Sequence, residues 1–207
     1  MPKLPKIKKP SLRKTVIFSA VISLVAFVYK MGMGVLSLSI ILMVASISTL
    51  VVFISKYLFI KNTFEERGKK KIVYLVMTIL GFSFGLLFLL FAVLKVGNID
   101  TSRKLVFTGL FGYIFIGFLL LMFVLSIINL RGALAKDDLM VTGLREVTFI
   151  AALSDLVIIE EFVYKMILEG ANIPYLHYLN DYFPLLSAVF MLTIPLFMFH
   201  RYMKYDV

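Results

Sequence analysis

From Leu105 to Ile128 the chain carries no charged side chain. A run of that length matches the hydrocarbon core of a bilayer. Inside that core every backbone N–H and C=O must be satisfied within the segment, which leaves a single continuous stretch only the α-helix. The pattern recurs along the sequence. Apolar runs lie at about 15–30, 35–57, 72–94, 105–128, 146–168 and 183–199, divided by short polar segments. Residues 15–207 therefore read as one all-α domain, a polytopic transmembrane helical bundle of six spans arranged as three hairpins. Composition agrees: 61% of residues are hydrophobic and 16% charged, against about 45–50% and about 25% in soluble domains.

The formal net charge of +10 would suggest nucleic acid in a soluble protein. The placement of the charges points to a membrane instead. Seventeen of the 22 Lys and Arg fall on one side of the six-span map. Six stand in the tail of residues 1–14, six more between Lys56 and Lys71, and the others are Arg131, Lys136, Arg145, Arg201 and Lys204. Lys30, Lys95, Arg103, Lys104 and Lys165 fall on the other side. Positive charge concentrates on cytoplasmic loops, so both termini are expected in the cytoplasm of a multi-pass protein of the cell membrane. The tail, broken by Pro2, Pro5 and Pro10, is expected to lie on anionic inner-leaflet lipid. No small-residue cleavage site follows the first apolar run, which reads as a retained helix rather than a removed signal. The lack of cysteine excludes disulfides, thiolate metal sites and cysteine nucleophiles.

Within this map Lys30-Met-Gly-Met-Gly34 reads as a tight turn, and Asp138 to Gly143 as a short interfacial piece. Gly170 to Tyr182, with His177 and Asp181, reads as an ordered outer-face loop. Gly81 and Gly85 form a small-xxx-small step that lets another backbone come close. Gly109, Gly112 and Gly117 suggest that the first half of the fourth span packs tightly or leaves room for a neighbour's side chains. Pro184 stands where a first-turn proline is tolerated, and Pro195 is internal to the last span.

The fifth run differs from the rest. Arg145 to Gly170 holds Asp155 near its middle, with Glu160 and Glu161 beyond it. A carboxylate in lipid is expensive and is usually shielded or put to use. At about 100° per residue, Ser154, Glu161 and Lys165 share one face, and Glu161 and Lys165 are in the favourable i,i+4 order. Asp155 points away from Glu161, so any shared site needs side chains from other helices. The candidate partners inside the membrane are hydroxyls: Ser46, Ser48, Thr49, Ser83, Thr108, Ser126, Ser187 and Thr193. Were this stretch to lie in the interface, the protein would have five spans and an external C-terminus.

Asp155, Glu160, Glu161, Lys165 and Ser154 are thus the candidates for a ligand or proton site, and His177 and Asp181 are candidates in the outer loop. The i,i+4 spacing of His177 and Asp181 supplies two ligands at most, too few for a metal. The first functional reading is a non-enzymatic transport component, or a membrane subunit that binds a small solute. The second is an interaction, immunity or assembly protein that packs its glycine-bearing helices against a membrane partner or another copy. The third is an intramembrane enzyme using Glu160 and Glu161. That pair, with His200 on the next helix, resembles over a few residues the first motif of the CAAX-protease-like membrane proteases. In those enzymes an arginine stands three residues after the second glutamate. Here Lys165 stands four residues after it, no arginine follows within this stretch, and no second histidine helix completes a site. GxSxG, HExxH and phosphate-cradling loops are absent from the sequence, so it implies no cofactor, metal or catalytic set.

Overall fold

A computed structural model describes residues 12–62, 67–97, 110–134, 138–165 and 174–204. Among these residues there are six helices and no strands: α1 (Leu12–Leu36), α2 (Ile40–Asn62), α3 (Arg67–Val96), α4 (Leu110–Leu134), α5 (Leu139–Val163) and α6 (Pro174–Lys204). Five of them, all but α5, are long and apolar enough to cross a membrane. Every stretch of 18 residues in α5 holds at least three charged side chains, which is why it stands apart. The fold is that of a multi-pass helical membrane protein.

Helices occupy all six expected places, but most are longer than expected. The glycines at 32 and 34 do not make a turn; α1 runs through both. With no water to satisfy a broken backbone, a helix in lipid has more reason to continue through glycine than to stop. The α1 helix ends two residues beyond Gly34 in a Schellman motif. Leu38 takes the left-handed φ of 52°, and the Ser39 N–H donates to Gly34 O at 2.9 Å, closing the last turn. Gly34 serves packing instead: a Cβ there would stand 2.9 Å from both the backbone nitrogen and Cγ of Met43.

Asp138 opens α5. Its carboxylate accepts the N–H groups of Met140 and Val141, both at 3.1 Å, which is N-cap geometry. The expected interfacial piece from Asp138 to Gly143 is therefore the first turn of α5. Residues 174–182, expected in a loop, are the start of α6. Pro184 consequently lies inside that helix rather than in its first turn, and its ring leaves the Asn180 backbone carbonyl without the usual helical donor.

The helices alternate in direction. Tyr74, Gly81, Gly85 and Lys95 of α3 meet Arg201, Pro195, Leu192 and Asn180 of α6 in turn, so these two run antiparallel. The Gly81–Gly85 step brings α6 close: a Cβ on Gly81 would stand 3.4 Å from Pro195 Cγ, and one on Gly85 2.9 Å from Leu192 Cδ2. Tyr74, Gly81 and Lys95 also meet Glu146, Ile150 and Glu161 of α5, so α3 and α5 run parallel over nearly their whole length. The α5 helix is the hub, packed by α2, α3, α4 and α6. Val157 and Ile158 in its centre are completely buried. By contrast α1, among the described residues, packs backbone-close only on α2. Among the described residues nothing stands within 4 Å of where a Cβ on Gly117 of α4 would be, so no neighbouring helix there uses the room it leaves.

Candidate functional site

Three carboxylates of α5 are each met by a cation from a different helix. Near its start, Glu146 accepts from Arg201 of α6 at 2.5 Å and from the hydroxyl of Tyr74 of α3 at 3.0 Å. The Tyr74 ring reaches Glu146 by lying over Gly143, where a Cβ would be 2.5 Å from a ring carbon. In the middle, Asp155 pairs with Lys30 of α1. The Lys30 ammonium also donates to Thr49 Oγ1 of α2 at 3.2 Å. Toward the far end, Glu161 accepts from Lys95 of α3 at 2.5 Å. Lys95 donates as well to Asn180 Oδ1 of α6 at 3.1 Å, and Lys165 stands 3.6 Å from the second Glu161 oxygen in the expected i,i+4 relation.

The pairs of Asp155 and Glu161 are deep, while Arg201 at Glu146 is 37% exposed. Lys30 is 5% exposed and Glu161 2%. Losing one partner strands the other as an uncompensated buried charge. The sequence reading missed Lys30, Lys95 and Arg201 as partners because it placed all three in turns or at helix ends. The hydroxyls it proposed for Asp155 include Thr49, which reaches the site through Lys30. A signal was present: between Thr15 and Ser55 Lys30 is the sole charge, and a lone lysine in so long an apolar stretch needs a counter-charge.

The expected site residues do not form one site. The Ser154 hydroxyl lies 2.9 Å from that of Ser48 on α2, both fully buried, and joins α2 to α5. Glu161 points into the bundle toward Lys95 rather than outward to the headgroups. Glu160 is half-buried, and its Oε2 is buried without a hydrogen-bond partner among the described residues. The charges acting on Glu160 are those of Lys95, Glu161 and Asp181, so Asp181 belongs to this far-end cluster. The side chain of His177 lies outside the described residues. His200 is exposed at the other end of the bundle, beside the residue that pairs with Glu146. The acid pair and histidine of the enzyme reading are therefore not brought together.

Asp155 opens onto a cavity. A groove of about 430 Å³ lies between α1 and α4, floored by α2 and α5. Its walls are mostly apolar, with Val25 and Tyr29 on one side and Phe118, Leu119 and Met122 on the other. Lys30, Asp155, Thr49 and Lys56 supply polar points in its floor. Both rims are exposed, as Val25, Tyr29, Phe118 and Met122 show, so the groove opens sideways. The volume falls within the roughly 300–1,000 Å³ of small-ligand sites, which pair apolar walls with a few placed polar groups. No known protein family, curated protein or solved structure matches the chain.

Proposed function

We propose that the protein is a non-enzymatic membrane subunit that holds a small amphiphilic solute in the groove between α1 and α4, as a transport component. The observation that carries this reading is the groove itself: apolar walls, a sideways opening, and the Lys30–Asp155 pair in its floor. In this reading α5 is a sixth span. Its support is the parallel run beside α3, an apolar helix long enough to cross, and the pairing of three of its carboxylates with cations from other helices. Both termini then lie on one side. The charge bias makes that side the cytoplasm of a cell membrane, with the basic tail on anionic lipid. Lys30, Lys95 and Lys165, three of the five cations assigned to the outer side, stand against carboxylates, which sharpens the bias.

A second reading, packing against a membrane partner or another copy, keeps one supporting feature. Much of α4 is exposed, and both Gly117 and Gly132 stand open. The other glycines named for it, Gly81 and Gly85, are already occupied by α6.

The test is native mass spectrometry of the protein purified in mild detergent, to identify and count co-purifying small molecules. Met122→Trp, which narrows the groove without touching the ion pair, is expected to lower occupancy at least tenfold, and Asp155→Asn, which frees Lys30, to change it. Unchanged occupancy in both variants overturns the groove reading.

A further inference from the structure

The groove contains two lysines with different surroundings. Lys30 is neutralised by Asp155. Lys56 stands two helical turns from Thr49 along α2, roughly 10 Å nearer the end where α2 gives way to α3. It is buried, at 8% exposure, and meets no carboxylate among the described residues. Its ammonium donates to Ser23 Oγ at 2.6 Å and to the Ser19 carbonyl at 3.0 Å. An ammonium has three donors, so one is left over.

The charged group that acts on Lys56 is another cation, Arg145 of α5. Arg145 lies on the same helical face as Thr148, Ala152 and Asp155, which line the groove. It too has no ion pair among the described residues. This end of the groove is therefore lined by a lysine that meets no opposite charge, and the charge that acts on it from α5 is also positive. A buried cation is costly unless an opposite charge meets it, and Lys30 shows how this protein meets that cost with its own side chain. At Lys56 none of the described residues supplies an opposite charge. In the proposed topology the sideways opening faces the bilayer, whose anionic lipid carries such a charge.

We infer that the groove takes an anionic membrane lipid, with an acyl chain between α1 and α4 and its headgroup at Lys56. This rests on the reading of the groove as a binding site, and it names the ligand class. In the proposed topology Lys56 lies toward the cytoplasmic leaflet, where anionic lipid is concentrated.

The test uses the full-length protein in nanodiscs of equal parts phosphatidylglycerol and phosphatidylcholine with identical acyl chains, followed by native mass spectrometry of the lipid retained. Wild-type protein is expected to keep one phosphatidylglycerol with at least tenfold preference. Lys56→Met is expected to bring that preference close to one, and Lys56→Arg, which keeps the charge, to preserve it. Equal retention of the two lipids by wild type overturns the inference, as does full preference in Lys56→Met. Met122→Trp separates the two claims. If it lowers retention of both lipids while wild type shows no preference, the groove still binds and only the anionic assignment fails. If it changes neither lipid, the groove reading fails as well.

Discussion

The α4 and α5 helices are neighbours that invert the usual relation between hydrophobicity and burial. Between Leu110 and Leu130, α4 has no charged residue, and many of its large apolar side chains face outward, among them Ile114, Leu121 and Ile128. The α5 helix carries Arg145, Glu146, Asp155, Glu160 and Glu161, and most of its residues are buried. In water the apolar helix would be the buried one. In lipid, apolar side chains gain little by leaving the solvent, and association comes from close packing and polar contacts. The hub is therefore the helix with polar groups to satisfy. Its carboxylates at 146, 155 and 161 tie it to α6, α1 and α3 in turn.

This contrast makes three quantitative predictions for unfolding in detergent. The largest effect is expected at the α5 charges. Glu161→Leu strands Lys95 and should cost about 3–5 kcal/mol. Lys95→Met combined with Glu161→Leu should recover most of that loss, and a double variant as unstable as the single one would show that the pair is not a unit. Next comes truncation of apolar side chains. Ile158→Ala, in the fully buried centre of α5, should cost about 2–5 kcal/mol, whereas Leu121→Ala on the exposed face of α4 should stay within about 0.5 kcal/mol. Similar losses at both positions would abolish the distinction between hub and rim. The smallest effect concerns glycine. Gly143→Ala drives a methyl into the Tyr74 ring and should cost about 1–3 kcal/mol. Gly117→Ala meets nothing and should be neutral or stabilising by up to about 1 kcal/mol, following helix propensity. Thermal midpoints of the two variants side by side decide the point.

The number and approximate places of the helices were legible because an apolar run in lipid leaves the backbone no alternative. The ends were less so. Gly32 and Gly34 suggested a turn by the logic of aqueous chains, but the cost of glycine in a helix, about 1 kcal/mol relative to Ala, is small beside that of opening the backbone in hydrocarbon. Asp138 looked like part of a polar loop because a capping carboxylate and a loop carboxylate read alike until the helix behind them is seen. Asp155 was legible as the unusual residue. Its partner was not, because Lys30 lies 125 positions away in the chain and only the antiparallel course of α1 and α2 brings it alongside. The same shift hid Lys95, which lies inside the last turn of α3 rather than in a loop beyond it. Gly81 and Gly85 were read correctly as a close-approach step, while Gly117 of the same glycine-rich reading turned out to face open space.

Among the described residues α1 packs its backbone closely only on α2, while its Lys30 holds Asp155 and its Tyr29 ring meets Phe115 of α4. That makes the ion pair a side-chain tie between α1 and the hub, one rim of the groove held to its floor. Whatever widens the groove has to pull against it, and whatever neutralises Asp155 releases it. Occupancy of the groove and the angle at which α1 stands are on this account two readings of one mechanical coordinate.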